Sequence, residues 1–492
     1  MAPYYLTTPC VARDESVPPQ CSRKMLRFAS KSAAAIGVGL GVQAALRPKP
    51  NLDDSKAEDV DALIIGGGIM GATVALMIKL LQPDWKVKLV EQHNRVGLEA
   101  SNEWHNAGTG HAALCEPNYT PYSKDGKTVE IDKAVATNNK FMTSLAFWSF
   151  LVEKSILPDA TFIQPAPHIL FVHGEEKREW LKRRVEKLSK LPAFAATEYS
   201  EDYDTIQKWS GLLCNGRPRS GGEVIAASRH PDGTEVNYGL LTRHLVQSFG
   251  ELGGDVQLLS TVTALRQQAD KRWLVAVHKA DLTDSNQVVR ARFVFAGGGG
   301  GSLSLLQMAG IPEVQGYGGM PVSGKFLVCQ KLDVVEQNLN KVYGPAAVSA
   351  PPMSVPHIDF RSLYGKDVIF FGPFAGFSPM LFKVSGTPLD WLATINWHNV
   401  LPMAKMAMSN LPLVKYLIKE IFASKGAQLE ALREFYPAAK PEDWTMVWAG
   451  QRIQIVNPKG ELQFGDDSPL GAAECHWGST PKESCNSLPL GR

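Results

Sequence analysis

Residues 59–71 read DVDALIIGGGIMG, a short apolar run followed by a glycine triplet, and this stretch decides the fold. Val60 to Ile65 predicts a buried parallel strand, because a strand covered on both faces reads as a continuous apolar run. Residues 66–71 contain the pattern G-x-G-x-x-G, and residues 72–81 predict a helix. Residues 86–90 predict a second strand ending at Glu91, about twenty residues after the last glycine, as the dinucleotide-binding fingerprint requires.

Each glycine of this pattern has a predicted role. Gly66 permits the tight turn, Gly68 lets a pyrophosphate approach the backbone, and Gly71 lets the helix pack closely on the strand. The helix N-terminus offers unpaired N–H groups to phosphates, and Glu91 accepts hydrogen bonds from a ribose diol. The alternative is a glycine turn in an unrelated α/β domain. The flanking strand and helix and the correctly placed acid favour nucleotide binding.

A second glycine cluster follows a second group of predicted strands, at residues 255–259, 262–267, 273–278 and 288–295. The last of these leads into five consecutive glycines, 297–301, and residues 302–309 then predict a helix. A second strand that closes on the nucleotide with glycines is what a two-segment FAD site needs, so Gly297, Gly298 and Gly299 are predicted cofactor contacts. A flexible linker is the alternative, because consecutive glycines also loosen a backbone.

The remaining patterns predict two interleaved domains after an N-terminal extension. Residues 1–56 form the extension, residues 57–125 and 220–312 the nucleotide-binding domain, and residues 126–219 and 313–465 a second domain. Helices are predicted at 131–157, 175–191 and 235–249, and a strand at 168–172. The fold class is therefore α/β, with a two-segment Rossmann-like domain.

The second domain is predicted to carry a mixed sheet and a short helical layer. Residues 315–382 are rich in glycine, proline and aromatic residues, a composition that resists helix and favours strands and loops wrapped over the cofactor. Residues 388–422 are apolar with helical spacing, interrupted at Pro402 and Pro412. We interpret the apolar surface of this layer as core packing, with a membrane face as the alternative.

Composition excludes several classes of protein. With 492 residues, 44% hydrophobic and 20% charged, the chain belongs among ordinary globular proteins. A net charge of +2 and the absence of a basic stripe argue against a nucleic-acid partner. The seven cysteines are scattered without C-x-x-C pairs, which favours a reducing compartment over a disulfide scaffold. Cys475, His476 and Cys485 fit no zinc spacing, so no metal site is predicted.

The N-terminal extension has the composition of an organellar targeting segment. Residues 23–50 carry six basic residues, several serines and alanines, and no acid. Asp14 and Glu15 lie upstream, so translation from Met25 would give a cleaner presequence. The apolar run 33–46 is too short to span a bilayer, and a secretory signal is the competing interpretation.

Several further blocks of the sequence resemble one family, the FAD-dependent malate:quinone oxidoreductases. They run in family order from about residue 58 to 465, and they are residues 66–70, 106–114, 118–121, 233–242, 293–300, 350–357, 371–375 and 449–454. The resemblance implies oxidation of (S)-malate to oxaloacetate, with electrons passing through FAD to a membrane quinone, as in the tricarboxylic acid cycle and the respiratory chain. It also implies a build similar to the D-amino-acid-oxidase and glutathione-reductase-like class of flavoproteins.

Three alternatives stay open beside this activity. The first is another FAD-dependent 2-hydroxy-acid dehydrogenase or an oxidase, such as a 2-hydroxyglutarate dehydrogenase or a small-amine oxidase. The second is an inactive product, because residues 466–492 lack the glycine- and serine-rich segment and final helix with which family members continue. The third is a soluble NAD-dependent malate dehydrogenase, which the second glycine cluster disfavours.

Oxidising a 2-hydroxy diacid requires cations for two carboxylates and a base for the hydroxyl proton. Arginine suits the first task because a guanidinium binds a carboxylate bidentately. Arg361 and Arg452 are the preferred candidates. Further cations in or beside the family-like blocks are Arg217, Arg229 and Lys383.

Histidine suits the second task because it titrates near neutral pH. His357 and His111 are the predicted catalytic histidines, and His168 is an outside candidate. Thr109, between Gly108 and Gly110, belongs to a loop that passes near the flavin ring in this class, so these three residues are predicted cofactor contacts.

The expected partners are (S)-malate and a quinone confined to lipid. We therefore expect peripheral membrane association, on the mitochondrial inner membrane if the extension is a mitochondrial presequence, with a plastid as the alternative.

Overall fold

The computed structural model describes residues 52–123, 126, 128–281, 285–345 and 357–463. The targeting prediction for most of residues 1–56, the family-like block 350–356 and the diverged tail 466–492 fall outside these ranges. The described residues build two large sheets and one two-stranded ribbon.

The first sheet has six strands in the order β8-β2-β1-β11-β10-β9. Strand β1 pairs in parallel with both β2 and β11, and β10 turns back antiparallel to β11. The two predicted glycine motifs follow β1 and β11, so parallel pairing brings them to the same edge. The strands are β1 Glu58–Ile65, β2 Val87–Val90, β8 Asp255–Gln257, β9 Ser260–Gln267, β10 Trp273–Lys279 and β11 Ser285–Ala296.

Both faces of β1 are buried, as its continuous apolar run predicts. Ile64 packs on one side in a core that contains Leu76 of the following helix, and Leu63 packs on the other side with Val275. Successive strand residues point to opposite faces, so one strand contributes to two cores. This explains why residues 62–65, after the polar Asp61, are all apolar and buried.

The second sheet has nine strands in the order β16-β12-β15-β14-β13-β4-β6-β5, with β17 also pairing with β12. Most neighbours are antiparallel, and β13 pairs in parallel with β4, so the sheet is mixed as predicted. Its strands are β4 His168–His173, β5 Glu198–Ser200, β6 Ile225–His230, β12 Gly318–Cys329, β13 Lys341–Tyr343, β14 His357–Leu363, β15 Lys366–Phe377, β16 Thr445–Trp448 and β17 Arg452–Val456. The ribbon pairs β3 Ile163–Pro165 with β7 Thr234–Val236.

Helices cover the sheets and connect their strands. They are α1 Ile69–Leu81, α2 Asp132–Glu153, α3 Glu175–Leu188, α4 Tyr203–Trp209, α5 Gly211–Cys214, α6 Tyr238–Glu251, α7 Ser302–Met308, α8 Leu332–Val335, α9 Asp390–Thr394, α10 Val400–Ser409, α11 Leu411–Ile421 and α12 Lys425–Arg433.

The predicted boundaries are wrong at two helices. Helix α1 begins at Ile69 rather than Ala72, because Gly68 is already its N-cap. Helix α6 begins at Tyr238, since the Asn237 side chain accepts a hydrogen bond from Leu240 N and caps the helix there. Glu235, predicted as helical, lies in β7.

The interleaving of the domains also differs from the prediction. Strand β6 falls in the segment 220–312, which was assigned to nucleotide binding, yet it is hydrogen-bonded to β4 and β5 of the second sheet. Helix α2 was assigned to the second domain, yet its Phe141 and Trp148 share a core with Ile64 of β1. Apolar side chains from both segments bury each other, so composition along the chain does not locate these boundaries.

The helical layer 388–422 consists of three short helices, α9 to α11. The prolines lie in first turns: Pro402 is the third residue of α10, and Pro412 the second residue of α11. Proline is tolerated there because those N–H groups have no partner within the helix. The inner faces of these helices are buried, as the interpretation of the apolar surface as core packing predicts. Their outer faces also carry apolar side chains, and these are exposed.

Candidate functional site

Two glycine motifs meet at the carboxyl ends of β1 and β11. Gly66 has a positive φ of 103°, and a Cβ placed on it would lie 2.3 Å from the carbonyl oxygen of Gly297. A Cβ on Gly71 would lie 1.9 Å from the carbonyl oxygen of Gly66. No side chain larger than hydrogen fits at either position without moving backbone. The first glycine motif therefore packs directly on the second.

A cavity of about 270 Å³ lies against this glycine cradle. Glycine backbone and apolar side chains make up much of its lining. Residues that line it include Gly66, Gly68, Glu91, Gly97 to Ser101, Gly297 to Gly301, Leu381, Phe382, Gln451, Arg452 and Ile453. Of the predicted contacts, Gly66, Gly68, Glu91, Gly297, Gly298, Gly299 and Arg452 all line this one cavity, whereas Gly71 lies behind it.

The N-terminus of α1 points into this region. Gly68, the N-cap residue, offers no side chain to the helix, and Ser101 Oγ accepts a hydrogen bond of 2.9 Å from Ile69 N. Ser101 was not identified from the sequence, because it lies 32 residues away in a loop without a recognisable pattern. It holds the loop 97–101 over the helix N-terminus.

Glu91 lies at the end of β2, where the fingerprint places it. Its Oε2 accepts a hydrogen bond of 2.6 Å from Gly67 N, and its Oε1 one of 2.9 Å from His93 N. Burial raises the pKa of this carboxyl above its ordinary value. Each carboxylate oxygen has a further lone pair, so the predicted contact with a ribose diol is compatible with both backbone bonds.

Glu99 joins two walls of the cavity and was also missed. Its carboxylate accepts hydrogen bonds from the backbone N–H groups of Lys383, Val384 and Ser385. His93 Nε2 lies 3.1 Å from its Oε1, and this hydrogen bond raises the pKa of His93. The backbone partners, residues 383–385, lie about 280 residues from Glu99 in sequence, so no local pattern could reveal these contacts.

The loop predicted to pass the flavin ring does not line the cavity. Thr109 is fully buried, and a Cβ on Gly110 would lie 2.0 Å from Thr234 Oγ1. Gly108 has a positive φ of 60°, and a Cβ there would lie 2.4 Å from the Arg361 guanidinium. These three residues pack against other protein groups, so their cofactor contact stays a prediction.

Arg361 is fully buried and engaged with protein groups. Its Nε donates to Glu235 Oε1 at 2.7 Å, and its Nη1 donates to the Glu103 carbonyl oxygen at 2.8 Å and to that of Asn106. Among the described residues, its Nη2 has no hydrogen-bond partner. The guanidinium thus braces the loop 103–108. A substrate role for Arg361 stays a prediction. Nη2 is the nitrogen that could bind a substrate carboxylate, because Nε and Nη1 already donate to protein groups.

His357, at the start of β14, pairs with a buried carboxylate. Its Nδ1 contacts Asp359 Oδ2, and Lys341 Nζ lies 3.5 Å from Asp359 Oδ1. Burial alone would raise the pKa of Asp359, but the charges of His357 and Lys341 outweigh it, and the pKa lies below its ordinary value. Asp359 is therefore ionised and accepts a hydrogen bond from Nδ1–H of His357, so Nε2 is the ring nitrogen that Asp359 does not engage.

Tyr343 brings two predicted histidines together. Its ring centroid lies 5.4 Å from that of His357 and 5.6 Å from that of His168, and its hydroxyl lies 3.3 Å from Thr109 Oγ1. Burial lowers the pKa of His168 to about 4, so this histidine is neutral near pH 7. Strand pairing places Tyr343 of β13 opposite His357 of β14, whereas His168 of β4 lies opposite Lys341, two residues before Tyr343.

His111 belongs to the same polar region through Glu116. Its Nδ1 lies 3.1 Å from Glu116 Oε1. Burial opposes ionisation of Glu116, but the hydrogen bond from His111 and the charge of His168 lower its pKa to about 2. We call His111, Glu116, His168, Tyr343, His357 and Asp359 the histidine cluster. Asp359 lies two residues after His357 on one strand face, a spacing visible in the sequence.

The other predicted cations lie in different places. Arg452, in β17, is buried and lines the cavity. Arg229 pairs with Glu198 at 3.2 Å, and Arg217 lies over the ring of Phe171 at 5.1 Å; neither lines the cavity. Burial lowers the pKa of Lys383 to about 8, and its Nζ donates to the Trp448 carbonyl oxygen.

The arrangement of sheets and glycine cradle defines an FAD-dependent oxidase-like fold. Over 87% of this chain and 94% of the other, it resembles the L-α-glycerophosphate oxidase of Mycoplasma pneumoniae with FAD bound, at a TM-score of 0.55 and 15% identity. It also resembles the glycine oxidase of Geobacillus kaustophilus over 88% and 93% of the two chains, with a TM-score of 0.55 and 14% identity. At these identities the likeness concerns the fold alone.

Within this class, the chain belongs to the malate:quinone oxidoreductase family, whose model matches residues 58–469. The probable malate:quinone oxidoreductase of Micrococcus luteus is 46% identical over 412 residues, 83% of this chain and 82% of that protein. The probable malate:quinone oxidoreductase 2 of Pseudomonas aeruginosa is 47% identical over 416 residues, 83% and 81% of the two chains.

FAD is the cofactor of this family, and the residues present fit it. A Cβ on Gly66 would meet the Gly297 carbonyl oxygen, so only glycine allows the two motifs to pack together, and Gly68 and Gly299 then present backbone to the cavity where a pyrophosphate would lie. Glu91 lies where a ribose diol is expected, and Leu381 and Ile453 supply apolar surface for a ring system. The two-segment prediction made from residues 66–71 and 297–301 is confirmed at the level of the fold.

Proposed function

We propose that this chain oxidises (S)-malate to oxaloacetate and passes the electrons to a membrane quinone. Membership of the malate:quinone oxidoreductase family over residues 58–469 carries the proposal. The cavity beside two glycine motifs and the buried His357–Asp359 pair support it, because they supply a cofactor site and a base. We also propose a place in the tricarboxylic acid cycle, which follows from this substrate and product.

When bound, FAD supplies an acceptor for the hydride on C2 of malate. We assign the hydroxyl proton to Nε2 of His357. Asp359 holds the opposite ring nitrogen as the donor, so Nε2 is the nitrogen that can accept the proton, and the carboxylate then stabilises the imidazolium that forms. Arg452, which lines the cavity, and Nη2 of Arg361 are the proposed contacts for the two carboxylates.

An absorbance spectrum of the purified full chain, followed by anaerobic malate and then a quinone analogue, tests this proposal. We expect flavin bands that bleach with malate and return with the quinone. Bleaching by 2-hydroxyglutarate instead of malate, or reoxidation only by oxygen with release of peroxide, would support another flavin enzyme. NADH formation from malate and NAD would contradict flavin chemistry. A colourless protein with a native-like circular dichroism spectrum would identify a non-catalytic product.

We propose that the enzyme associates with the membrane surface, because its acceptor is confined to lipid. No helix among the described residues is both long and apolar enough to cross a bilayer. Recovery in the soluble fraction after a carbonate wash is the expected result. Complete retention in the membrane pellet would contradict peripheral association.

We also propose import into mitochondria. The support is the basic, acid-free composition of residues 23–50; the relatives from Micrococcus luteus and Pseudomonas aeruginosa are bacterial. Fusion of residues 1–56 to a fluorescent protein should direct it to mitochondria. Plastid fluorescence would support the alternative organelle, and diffuse or secreted fluorescence would contradict organellar import.

A further inference from the structure

Large apolar side chains are exposed on the helical layer α9 to α11. Of the twenty such side chains among the described residues, eight lie between residues 389 and 422. They are Leu389, Trp397, Val400, Leu401, Met408, Leu411, Ile418 and Phe422. Trp397 is 87% exposed and Leu401 76%, so these side chains are almost fully accessible. Single exposed apolar residues need no explanation, but a concentration in one short segment does.

These side chains follow the helical period. In α11, residues 411, 415, 418 and 422 are spaced by three or four, and in α10 residues 401, 405 and 408 share one face. The opposite faces of both helices, with Met403, Met406 and Leu417, pack into one core together with Val456 of β17. The outer faces of α10 and α11 therefore both point away from the same core.

The charged residues on these outer faces are all cationic. Lys405, Lys415 and Lys419 are exposed among the apolar residues. The two acids of the segment are engaged elsewhere: Asp390 accepts hydrogen bonds from Thr387, and Glu420 is partly buried, which raises its pKa. A polar face of lysines beside tryptophan and leucine is the composition of a helix that lies in a lipid interface.

We propose that the outer faces of α10 and α11 dock onto an anionic bilayer surface. The docking face comprises Trp397, Leu401, Met408, Leu411, Ile418 and Phe422, with Lys405 and Lys415 between them. A protein partner fits less well, because lysine is depleted in the core of protein interfaces. In a headgroup layer, by contrast, a lysine stem lies along apolar surface while its ammonium reaches anionic phosphates. This inference rests on the proposed use of a lipid-confined quinone.

The docking face is connected to the cavity through one strand. Arg452 and Ile453 at the start of β17 line the cavity, and Val456 at its end packs against the inner faces of α10 and α11. Trp391 of α9 donates from Nε1 to the Gly319 carbonyl oxygen of β12, at 2.7 Å. Strand β17 thus forms part of the cavity wall and, together with β12, supports the helices of the proposed lipid contact. An acceptor leaving the bilayer would meet this part of the protein first.

Co-sedimentation of the full-length holoenzyme with vesicles tests the inference. We expect binding to vesicles of phosphatidylcholine with phosphatidylglycerol, and weaker binding to phosphatidylcholine alone. The double variant Leu411→Ser/Phe422→Ser should lower binding to both kinds of vesicle about tenfold or more. Lys405→Glu/Lys415→Glu should abolish the preference for anionic lipid. The matched control, Leu81→Ser/Leu332→Ser, changes two leucines that are 73% and 65% exposed elsewhere and should bind normally.

Malate oxidation with a water-soluble dye as acceptor separates this inference from the proposed function. Every variant should retain the dye-linked rate, because none of the changed residues lines the cavity. Loss of dye-linked activity in the unchanged protein would contradict the proposed function. The docking face would be overturned if its variants kept full dye-linked activity and bound vesicles as well as the unchanged protein does. It would also be overturned if those variants converted a dimer into a monomer while vesicle binding stayed the same.

Discussion

Asp359 and His357 lie two residues apart on one strand, and their pairing determines which nitrogen of the imidazole can act. Because the ionised, fully buried carboxylate holds Nδ1–H, Nε2 is the ring nitrogen left to exchange a proton. Lys341, also fully buried, compensates the charge of Asp359. The pair therefore resembles a base with its orienting carboxylate, as a dehydrogenase of 2-hydroxy acids requires.

We predict that His357→Asn lowers kcat for malate by about 100-fold or more, the usual contribution of a general base. Asp359→Asn should also lower kcat with a smaller change in KM, since an amide can hold the ring in the wrong tautomer. Steady-state kinetics with a dye acceptor, together with the flavin spectrum, measure both effects. His398→Asn, at an exposed histidine, is the matched control. If kcat were unchanged in His357→Asn, His357 would not be the base, and His111 would become the preferred candidate.

Gly71 and Gly250 are both helical glycines, but they differ in the space around them. We predict that Gly71→Ala costs the protein its flavin, because the new Cβ would meet the Gly66 carbonyl oxygen at 1.9 Å and shift the cradle. Gly250→Ala is the control: nothing lies within 4 Å of its Cβ position, and alanine favours a helix by up to about 1 kcal/mol. The ratio of flavin absorbance to protein absorbance measures the outcome. Equal flavin content in the two variants would show that this packing is dispensable.

At the scale of elements, Glu99 joins the loop 97–101 to the segment 381–385, and both contribute residues to the lining of the cavity. The carboxylate accepts three backbone hydrogen bonds from the segment, one of them 2.7 Å long, from Lys383 N. Hydrogen bonds to a charged acceptor contribute more than neutral ones. Glu99 therefore links two parts of the chain that are distant in sequence, through hydrogen bonds from its carboxylate to backbone N–H groups.

We predict that Glu99→Gln weakens FAD binding by about 10-fold to 100-fold, the effect of losing roughly 1.5–3 kcal/mol of charge-assisted hydrogen bonding. The loss should appear as a faster release of flavin fluorescence on dilution and as new proteolytic cleavage near residue 384. Glu179→Gln is the matched control, because Glu179 forms an exposed ion pair with Arg183 away from the cavity. If both variants retained FAD equally well, the hydrogen bonds of Glu99 would not contribute to FAD binding.

The strand–glycine–helix order was predictable at this scale because its rules are local. Apolar runs define the strands β1 and β11, glycines mark the turns, and residues 69–81 follow the helical pattern. The boundary of α6 was missed because the Asn237 cap competes with the helical tendency of residues 235–237. The exposure of α10 and α11 was missed because an apolar face on a helix looks the same whether it contacts protein, lipid or water.

At the scale of the whole molecule, stability should depend on buried histidines that remain neutral. Burial, with the charge of Lys383, lowers the pKa of His105 to about 4, and burial lowers that of His168 to about 4. An unfolded histidine takes up a proton near pH 6.5. Between about pH 6.5 and 4, the unfolded chain thus binds protons that the folded chain does not, so stability falls as the pH is lowered.

We predict that the midpoint of thermal unfolding falls between pH 7.5 and pH 5, and that His168→Gln makes this fall smaller. Glu116, with a pKa of about 2 in the folded protein, should extend the loss of stability below about pH 4.5. Differential scanning calorimetry of the holoenzyme at constant ionic strength measures the trend. His398→Gln, at an exposed histidine, should leave the slope unchanged. A midpoint independent of pH over this range would contradict neutral burial of these histidines.

The sequence by itself determined the two-segment nucleotide fold, the identity of the glycines and Glu91, and the family, because each depends on neighbouring residues and their spacing. Only the tertiary structure decided that Arg361 braces the loop 103–108, that Tyr343 lies between His168 and His357, and that Glu99 binds the backbone of residues 383–385. These contacts join residues that are far apart along the chain. The packing of the two sheets determines which polar groups are buried together, and no local sequence pattern encodes that packing.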